Sequence, residues 1–319
     1  MESRFVGFIS LFLLRSLAWA YSCMPRSFQL YLGAGLGFLL RKLRIRTAVV
    51  AQNLLLAYPG AHNEMLRKNL FLESYRHLGR LSFEIAMLLG PMPSFIRRHT
   101  VVRGIEFFEF AKKQGKGVII LSSHTGNWEI MGAAGAYWAG IDSMIVTKHL
   151  KPEWLHRAIE KGRLAAGVAA TYEPKTMRDI LSQLKRKSTV GFVLDQYAGP
   201  PIGVRVPFLG VQVSTSTALA MLVKRTGAIL LPAINYRDPE GRFIIEIKPP
   251  IPWQTHDDAN FELASNTAAY VAELEKDVRR FPGQWLWIHR RFKGDLSPAR
   301  ENEWFEGRPR TDRRIESKA

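Results

Sequence analysis

The sequence predicts an α/β fold with a mostly parallel central sheet flanked by helices, and an apolar helix at the N-terminus. Three observations carry this prediction. Short apolar runs rich in Val and Ile recur after residue 115, helical segments separate most of them, and 47% of the 319 residues are hydrophobic. Strands that alternate with helices typically pair in parallel and are covered on both faces. A chain of this composition can bury a sizeable core.

The first element is the N-terminal segment FVGFISLFLLRSLAWAYSCM, in which Arg15 interrupts an apolar run. Three interpretations are open. A cleaved signal peptide would use Arg4 and the small-x-small motif at 18–20. A membrane-spanning helix needs about 20 apolar residues and would have to tolerate Arg15. An interfacial helix would place Arg15 and Trp19 near the lipid headgroups.

The segment that follows favours attachment to a membrane. SFQLYLGAGLGFLL, residues 27–40, is apolar but too short to span a bilayer, and it runs into the basic cluster RKLRIR at 41–46. Apolar helices that end in a basic cluster suit the face of an anionic membrane. We therefore predict a membrane-associating helical segment at 1–46, with a retained membrane-anchoring N-terminal helix.

Residues 47–89 have a helical pattern, which Pro59-Gly60 interrupts. After Pro93 the chain changes to alternating strands and helices. Strands are predicted in the runs GKGVIILSS, IDSMIVTK, STVGFVLD, AILLPAINY and RFIIEIKPP. Helices are predicted in WEIMGAAGAYWAG, PEWLHRAIEKGRLAAG, TMRDILSQLKRK, TSTALAMLVKRTG and FELASNTAAYVAELEKDVRRF. We assign residues 47–298 to this α/β domain and 299–319 to a polar basic tail.

The charge balance predicts an anionic partner. Lys plus Arg number 45 and Asp plus Glu number 28, a net charge of +17. Nucleic acid, an anionic membrane surface and a phosphorylated substrate all fit such an excess. A basic membrane- or nucleic-acid-binding protein is the non-enzymatic alternative, although the sequence contains no helix-turn-helix, zinc-finger or RNP signature. The single cysteine, Cys23, excludes an intramolecular disulfide and a Cys-based zinc site, which fits a reducing compartment.

The stretch LSSHTGNWEI, residues 121–130, contains the candidate chemistry. Helical residues five apart do not share a face, so His124 and Glu129 meet only if the histidine lies in the turn before a helix. Gly126 permits such a turn, and Asn127 can cap the helix. A carboxylate that accepts from one imidazole nitrogen makes the other a general base for a hydroxyl. On spacing alone, a loop histidine bonded to the backbone is at least as good an interpretation.

No rival catalytic motif is visible. The sequence lacks a G-x-S-x-G elbow, a Walker motif, H-E-x-x-H and G-x-G-x-x-G. Asp195 and Gln196 end the predicted strand STVGFVLD. If the strands are parallel, this carboxylate lies at the same end of the sheet as His124, where open α/β sheets bind ligands. We expect both residues in the substrate-binding part of the site, with structural hydrogen bonding as the alternative.

Several segments resemble one family in the same order along the chain. SSHTGNWE resembles the H-x4-D/E motif of the lysophospholipid acyltransferase superfamily, in the form found in the late acyltransferases of lipid A biosynthesis. RTAVVAQNLLLAYP, YRHLGRLSFEIAML, DQYAGPPIGVRVPFLGVQVSTSTALAMLVKRTGAILLPA and FPGQWLWIHRRFK resemble further family blocks. The resemblance covers roughly residues 40–293.

The resemblance implies an O-acyltransferase at the cytoplasmic face of the bacterial inner membrane, active in lipopolysaccharide biosynthesis. Such enzymes move a fatty acyl group from acyl carrier protein, or sometimes coenzyme A, to a hydroxyl of a lipid A precursor. The acyl thioester is a co-substrate, and no other cofactor, metal or nucleic acid is expected. Relatives with the same block acylate other anionic glycolipids, such as phosphatidylinositol mannosides.

The resemblance also implies roles for individual residues. His124 would remove the proton from the acceptor hydroxyl, assisted by Glu129, without an acyl-enzyme. Backbone N–H groups near Gly126 and Asn127, at the start of a helix, would bind the developing oxyanion or a phosphate, with simple helix capping as the alternative. Arg163, in EKGRLAAG, would contact a substrate phosphate, with a solvated helix arginine as the alternative.

Overall fold

The computed structural model describes residues 4–199 and 201–293. Within these residues the strands are β1 (Thr100–Arg103), β2 (Val118–Ser122), β3 (Ser143–Val146), β4 (Val168–Thr171), β5 (Thr189–Val193), β6 (Gly203–Phe208), β7 (Val211–Ser216), β8 (Ile229–Arg237) and β9 (Phe243–Ile247). The helices in the same residues are α1 (Arg4–Cys23), α2 (Arg26–Lys42), α3 (Thr47–Ala57), α4 (Glu64–Ile85), α5 (Met92–His99), α6 (Ile105–Lys113), α7 (Trp128–Ala139), α8 (Glu153–Ala165), α9 (Thr176–Lys185), α10 (Ala218–Thr226) and α11 (Ala259–Arg280).

In this part of the chain, seven strands form one sheet in the order β1-β9-β8-β2-β5-β3-β4. Neighbouring strands run parallel, except for the antiparallel pair of β8 and β9. The predicted α/β fold with a mostly parallel central sheet is therefore confirmed, and all five predicted strands form.

The central strand β2 shows why its sequence lacks alternation. Ile119 and Leu121 pack in the same core cluster as residues of α3, α4 and α11. Val118 and Ile120 pack on the opposite face, in the cluster that includes residues of α6. A strand covered on both faces reads as a continuous apolar run.

The sequence analysis missed β1, β4 and the hairpin of β6 and β7. β1 and β4 have four residues each and lie at the two edges of the sheet, so neither produces a long apolar run. The helix predicted from Thr215 begins only at Ala218, because 211–216 form β7. The hairpin turn has positive φ at both Leu209 and Gly210, as in the turns that join twisted strands most tightly.

Helices α2 and α4 cross at a glycine contact. A Cβ atom on Gly37 would lie 2.0 Å from the carbonyl oxygen of Tyr75, and one on Gly79 would lie 2.1 Å from that of Gly33. Only glycine permits this approach of two backbones. One face of α2 is therefore buried against α4, while Phe28, Tyr31 and other large apolar side chains remain exposed.

The N-terminal prediction needs a correction. The helix α1 forms where it was expected, but no helix in residues 4–199 and 201–293 has the length and apolarity needed to cross a membrane. The membrane-spanning form of the predicted membrane-anchoring helix is therefore wrong for α1, whose apolar run is broken by Arg15 and by serines. The predicted tail at 299–319 lies outside the described residues.

Candidate active site

The site is built at the carboxyl end of β2. The strand ends at Ser122, and α7 begins at Trp128 with Asn127 as its N-cap, whose Oδ1 accepts hydrogen bonds from the backbone N–H groups of Glu129 and Ile130. His124 therefore lies in the turn before the helix and Glu129 in its first turn, the arrangement that Gly126 and Asn127 permit in the sequence. The turn requires glycine, because Gly126 has φ +65° and a Cβ there would lie 2.1 Å from the carbonyl oxygen of Asn235.

The imidazole of His124 is paired with Asp195. Nδ1 of His124 lies 2.6 Å from Oδ1 of Asp195, and the backbone N–H of His124 donates to Oδ2 at 2.7 Å. Asp195 follows β5, which pairs in parallel with β2 so that Ser122 is opposite Val193. Parallel pairing thus brings the two side chains to one edge of the sheet, as the sequence analysis expected.

Asp195 is held as a carboxylate. Burial by itself raises the pKa of its carboxyl group, but the charge and hydrogen bonds of His124 and a hydrogen bond from Trp285 hold that pKa well below its usual range. The indole Nε1 of Trp285 donates to Oδ2 at 2.7 Å. Because an ionised carboxylate only accepts, Nδ1 of His124 must carry a proton. In the neutral ring Nε2 then has a free lone pair, and the side-chain nitrogen of Gln196 lies 3.4 Å from it.

Glu129 is engaged elsewhere. Its carboxylate forms a two-point ion pair with Arg163, in which Nε donates to Oε2 at 2.9 Å and a terminal nitrogen donates to Oε1 at 2.5 Å. The predicted pairing of His124 with Glu129 is therefore wrong in this structure, because each residue is bonded to a different partner. Both side chains of the ion pair are buried, which excludes the alternative of a solvated helix arginine.

The ion pair fixes the orientation of Arg163. Burial alone would lower the pKa of its guanidinium, but the hydrogen bond and charge of Glu129 raise the pKa above its ordinary value. The second terminal nitrogen, Nη1, is buried and makes no hydrogen bond of good geometry among the described residues, although the hydroxyl of Tyr172 lies near the guanidinium. A buried donor without a partner is costly, so this nitrogen is a candidate contact for a substrate oxygen.

The backbone N–H groups of Gly126 and Asn127 already donate hydrogen bonds within the protein. The N–H of Gly126 donates to the carbonyl oxygen of Gln284 at 2.9 Å, and the N–H of Asn127 donates to Oδ1 of Asn235 at 2.6 Å. These two groups are therefore not free to bind an oxyanion or a phosphate in this structure, and such a role for other amides near this helix start stays a prediction. The side chain of Asn127 caps the helix, which is the alternative role given above.

Sequence reasoning assigned no site role to the C-terminal segment WLWIHRRF, yet this segment lines the site. Thr125 forms an isolated antiparallel bridge with Trp285, and Arg291 donates to the carbonyl oxygen of Gln196 at 2.6 Å. The segment thereby ties the loop of His124 to the loop of Asp195. The only sequence signal for this segment was its resemblance to the family's final block, and that resemblance assigned no site role to its residues.

Two rings enclose the imidazole of His124. Trp128 meets it edge-on with ring centroids 4.6 Å apart, and His289 lies 4.7 Å away. Burial, followed by the neighbouring His124, lowers the pKa of His289 to about 4, so this ring is neutral near pH 7. The arrangement presents one nitrogen that is basic in the neutral ring, oriented by a carboxylate, in a largely buried setting. Such an arrangement can remove a proton from a hydroxyl.

Comparison with known proteins identifies similar sequences over most of the chain. The family model described as bacterial lipid A biosynthesis acyltransferase matches residues 2–294. A lipid A biosynthesis lauroyltransferase of Escherichia coli K12 is 29% identical over 281 residues, which cover 86% of this chain and 88% of the relative. The lipid A biosynthesis palmitoleoyltransferase of the same organism is 27% identical, with the same coverage. A phosphatidylinositol mannoside acyltransferase of Mycobacterium tuberculosis is 24% identical over 63% of this chain and 62% of the relative.

Proposed function

The chain belongs to the bacterial lipid A biosynthesis acyltransferase family, and on this premise we propose that it transfers a fatty acyl group from an acyl thioester to a hydroxyl of a lipid A precursor. It is an O-acyltransferase. The acyl donor is acyl carrier protein or coenzyme A carrying the chain as a thioester. Residues 47–298 form the acyltransferase domain, and residues 1–46 form the membrane-associating segment.

In the proposed reaction, Nε2 of His124 removes the proton from the acceptor hydroxyl as its oxygen attacks the thioester carbonyl. A new C–O bond forms, and the carbonyl electrons move to oxygen. The tetrahedral intermediate collapses, the C–S bond breaks and the thiolate leaves with the bonding pair. The imidazolium of His124 then protonates the thiolate, which restores the base. No acyl-enzyme is needed, because the acceptor attacks the thioester directly.

The hydrogen bond between His124 and Asp195 carries this proposal. The carboxylate keeps the proton on Nδ1, which leaves Nε2 basic, and it stabilises the imidazolium that forms during attack. Because Trp285 and the backbone of His124 both donate to Oδ2, the carboxylate cannot rotate without losing hydrogen bonds. Asp195 thus takes the orienting role that the motif alone would give to Glu129.

Glu129 acts through Arg163 in this proposal. The two-point ion pair holds the guanidinium in one orientation, which leaves Nη1 to donate to a phosphate oxygen of the substrate. Gln196, whose side-chain nitrogen lies 3.4 Å from Nε2 of His124, is placed to contact the acceptor hydroxyl. A positively charged contact for the acceptor fits the net charge of +17.

The acceptor class has one supported alternative. The relative from Mycobacterium tuberculosis acts on a phosphatidylinositol mannoside, by its name. Both acceptors are anionic glycolipids with free hydroxyls, so the same general base would serve either. The higher identity and coverage of the lipid A enzymes favour the lipid A precursor.

We further propose that the N-terminal helices lie on the cytoplasmic face of the inner membrane. Large apolar side chains are exposed on α1 and α2, at Phe8, Phe12, Leu17, Trp19, Phe28, Tyr31, Phe38 and Leu39. The basic cluster at 41–46 follows directly, and Arg41 lies over the ring of Phe38. Exposed apolar groups beside basic ones are typical of a surface that binds anionic lipid.

The decisive experiment replaces the proposed base. The full chain and its His124→Ala variant are purified in detergent and supplied with acyl thioester and lipid A precursor, and mass spectrometry follows the gain of one acyl chain. We expect the variant to lose roughly 10²–10⁴-fold in kcat. His62→Ala, at an exposed position in a 3-10 turn, is the matched control and should retain activity. Near-normal turnover by His124→Ala would refute the proposed chemistry.

A further inference from the structure

A polar cavity outside the active site is lined in part by residues 281–284, which directly precede the C-terminal segment WLWIHRRF. Its volume is about 220 Å³. It is lined by Glu73, His77, Arg80, Arg237, Asp238 and residues 281–284. Gln284 is shared between the two sites, since its side chain bonds the backbone of Arg237 and its carbonyl oxygen accepts from Gly126. None of the other lining residues has a part in the proposed acyl transfer.

His77 presents an unused donor at this cavity. Its side chain is 2% exposed, and Nδ1 lies 2.7 Å from a terminal nitrogen of Arg237. A guanidinium only donates, so Nδ1 must accept and the ring proton must be on Nε2. Burial and the charges of Arg237 and Arg80 lower the pKa of His77 well below its ordinary value, which keeps the ring neutral. The Nε2–H donor has no partner among the described residues.

Arg80 adds a cation with free donors. Its Nε donates to the carbonyl oxygen of Leu30 at 3.2 Å, and its two terminal nitrogens make no hydrogen bond in the described part of the chain. Burial, followed by the charge of Arg237, lowers the pKa of Arg80, and the charges of Glu73 and Glu84 offset only part of this shift. Arg80 belongs to the GRLSFE stretch that the sequence analysis singled out and that the proposed reaction leaves unused.

The fixed charges around the cavity leave an excess of positive charge. Glu84 is fully buried and pairs with both Arg237 and Arg26. The two acidic residues on the cavity wall are engaged by other arginines, Glu73 by Arg76 and Asp238 by Arg242. Glu84 thus pairs with Arg26 and Arg237, whereas Glu73 and Glu84 act on Arg80 only through their charge. A buried donor beside a guanidinium whose terminal nitrogens make no hydrogen bond suits an anionic acceptor.

We propose that this cavity binds a phosphate group, held by the terminal nitrogens of Arg80 and by Nε2–H of His77. The volume is many times the roughly 10–15 Å³ that a cavity needs to hold one water. It is smaller than the roughly 300–1,000 Å³ of sites that enclose a drug-sized ligand. A tetrahedral oxyanion has enough acceptor oxygens for all the free donors at once. The site stands independently of the proposed acyl transfer.

The test measures phosphate binding to the full chain in detergent. Isothermal titration with inorganic phosphate, against chloride at matched ionic strength, is run on wild type, Arg80→Gln, Arg80→Lys and the control Arg178→Gln. Arg178 is exposed on α9, so its replacement removes the same charge far from the cavity. We expect saturable binding by wild type and control, weakened roughly ten- to a hundredfold in Arg80→Gln and less in Arg80→Lys. Circular dichroism establishes whether each variant is folded. If Arg80→Gln does not fold, the affinity of Arg80→Lys is compared with that of wild type instead.

A second arm distinguishes a free phosphate from a lipid headgroup. Phosphatidylcholine nanodiscs with and without phosphatidic acid are added as competitors of inorganic phosphate. If phosphatidic acid competes with inorganic phosphate in wild type but not in Arg80→Gln, the site binds a lipid phosphate. If the nanodiscs do not change phosphate binding, the site binds the free anion. Wild type that shows no saturable phosphate binding, or Arg80→Gln with unchanged affinity, overturns the proposal.

Discussion

Replacing Asp195 by asparagine tests which carboxylate orients the catalytic histidine. Oδ2 of Asp195 accepts two hydrogen bonds, from the backbone N–H of His124 and from Nε1 of Trp285. An asparagine at this position would keep its oxygen there, because only oxygen can accept from both donors. Its NH₂ group would then face Nδ1 of His124, where Oδ1 now lies at 2.6 Å. The imidazole would have to turn Nδ1 into an acceptor, and its proton would move to Nε2.

The expected loss follows from this geometry. With the proton on Nε2, the ring cannot accept the proton of the acceptor hydroxyl. The imidazolium also loses its counter-ion, and two unit charges about 4 Å apart attract by about 4 kcal/mol at an effective dielectric constant of about 20. Since about 1.4 kcal/mol corresponds to tenfold in rate, we expect kcat to fall about a thousandfold. The fold should survive, because Asp195→Asn preserves shape.

The assay compares Asp195→Asn with Glu129→Gln in the acyl-transfer reaction, with Asp257→Asn as a control for the same chemical change at an exposed position. Glu129→Gln should raise KM more than it lowers kcat, because it loosens Arg163 without touching His124. If Glu129→Gln lost a thousandfold in kcat while Asp195→Asn stayed near wild type, Glu129 would be the orienting carboxylate and our reasoning would be refuted.

Three further predictions concern stability and membrane binding. Glu84→Gln should lower the free energy of unfolding by about 3–5 kcal/mol in chemical denaturation, because it leaves buried guanidiniums unpaired, whereas the exposed Glu64→Gln should not change it measurably. The pKa of His289 is lowered to about 4, so the unfolded chain binds more protons below pH about 6.5; stability should fall as pH decreases from there to about 4, and His289→Gln should reduce that fall. Replacing Phe8 and Phe12 by serine should weaken flotation with both anionic and neutral vesicles, whereas salt should weaken only the anionic case; unchanged flotation would contradict an interfacial role for α1.

Much of the fold and the position of the site could be predicted from local pattern. The apolar runs identified five strands of the central sheet, and parallel pairing of β2 with β5 predicted that His124 and Asp195 share one edge. The position of Gly126 and Asn127 predicted the turn and the helix cap that place His124 outside α7. These features depend on residues within a few positions of each other, or on one general rule of parallel sheets. The resemblance of ordered motifs to one acyltransferase family was likewise confirmed.

The hydrogen-bond partners at the site were decided only by the tertiary structure. Glu129 pairs with Arg163, 34 positions away, and His124 pairs with Asp195, 71 positions away. The amides of Gly126 and Asn127 are occupied by Gln284 and Asn235, far along the chain. A five-residue spacing shows that two side chains can meet, but a histidine and a carboxylate bond to whichever partners the packed elements place closest. Because those partners come from separate strands and helices, the sequence determined the residue types at this edge and the fold decided their pairing.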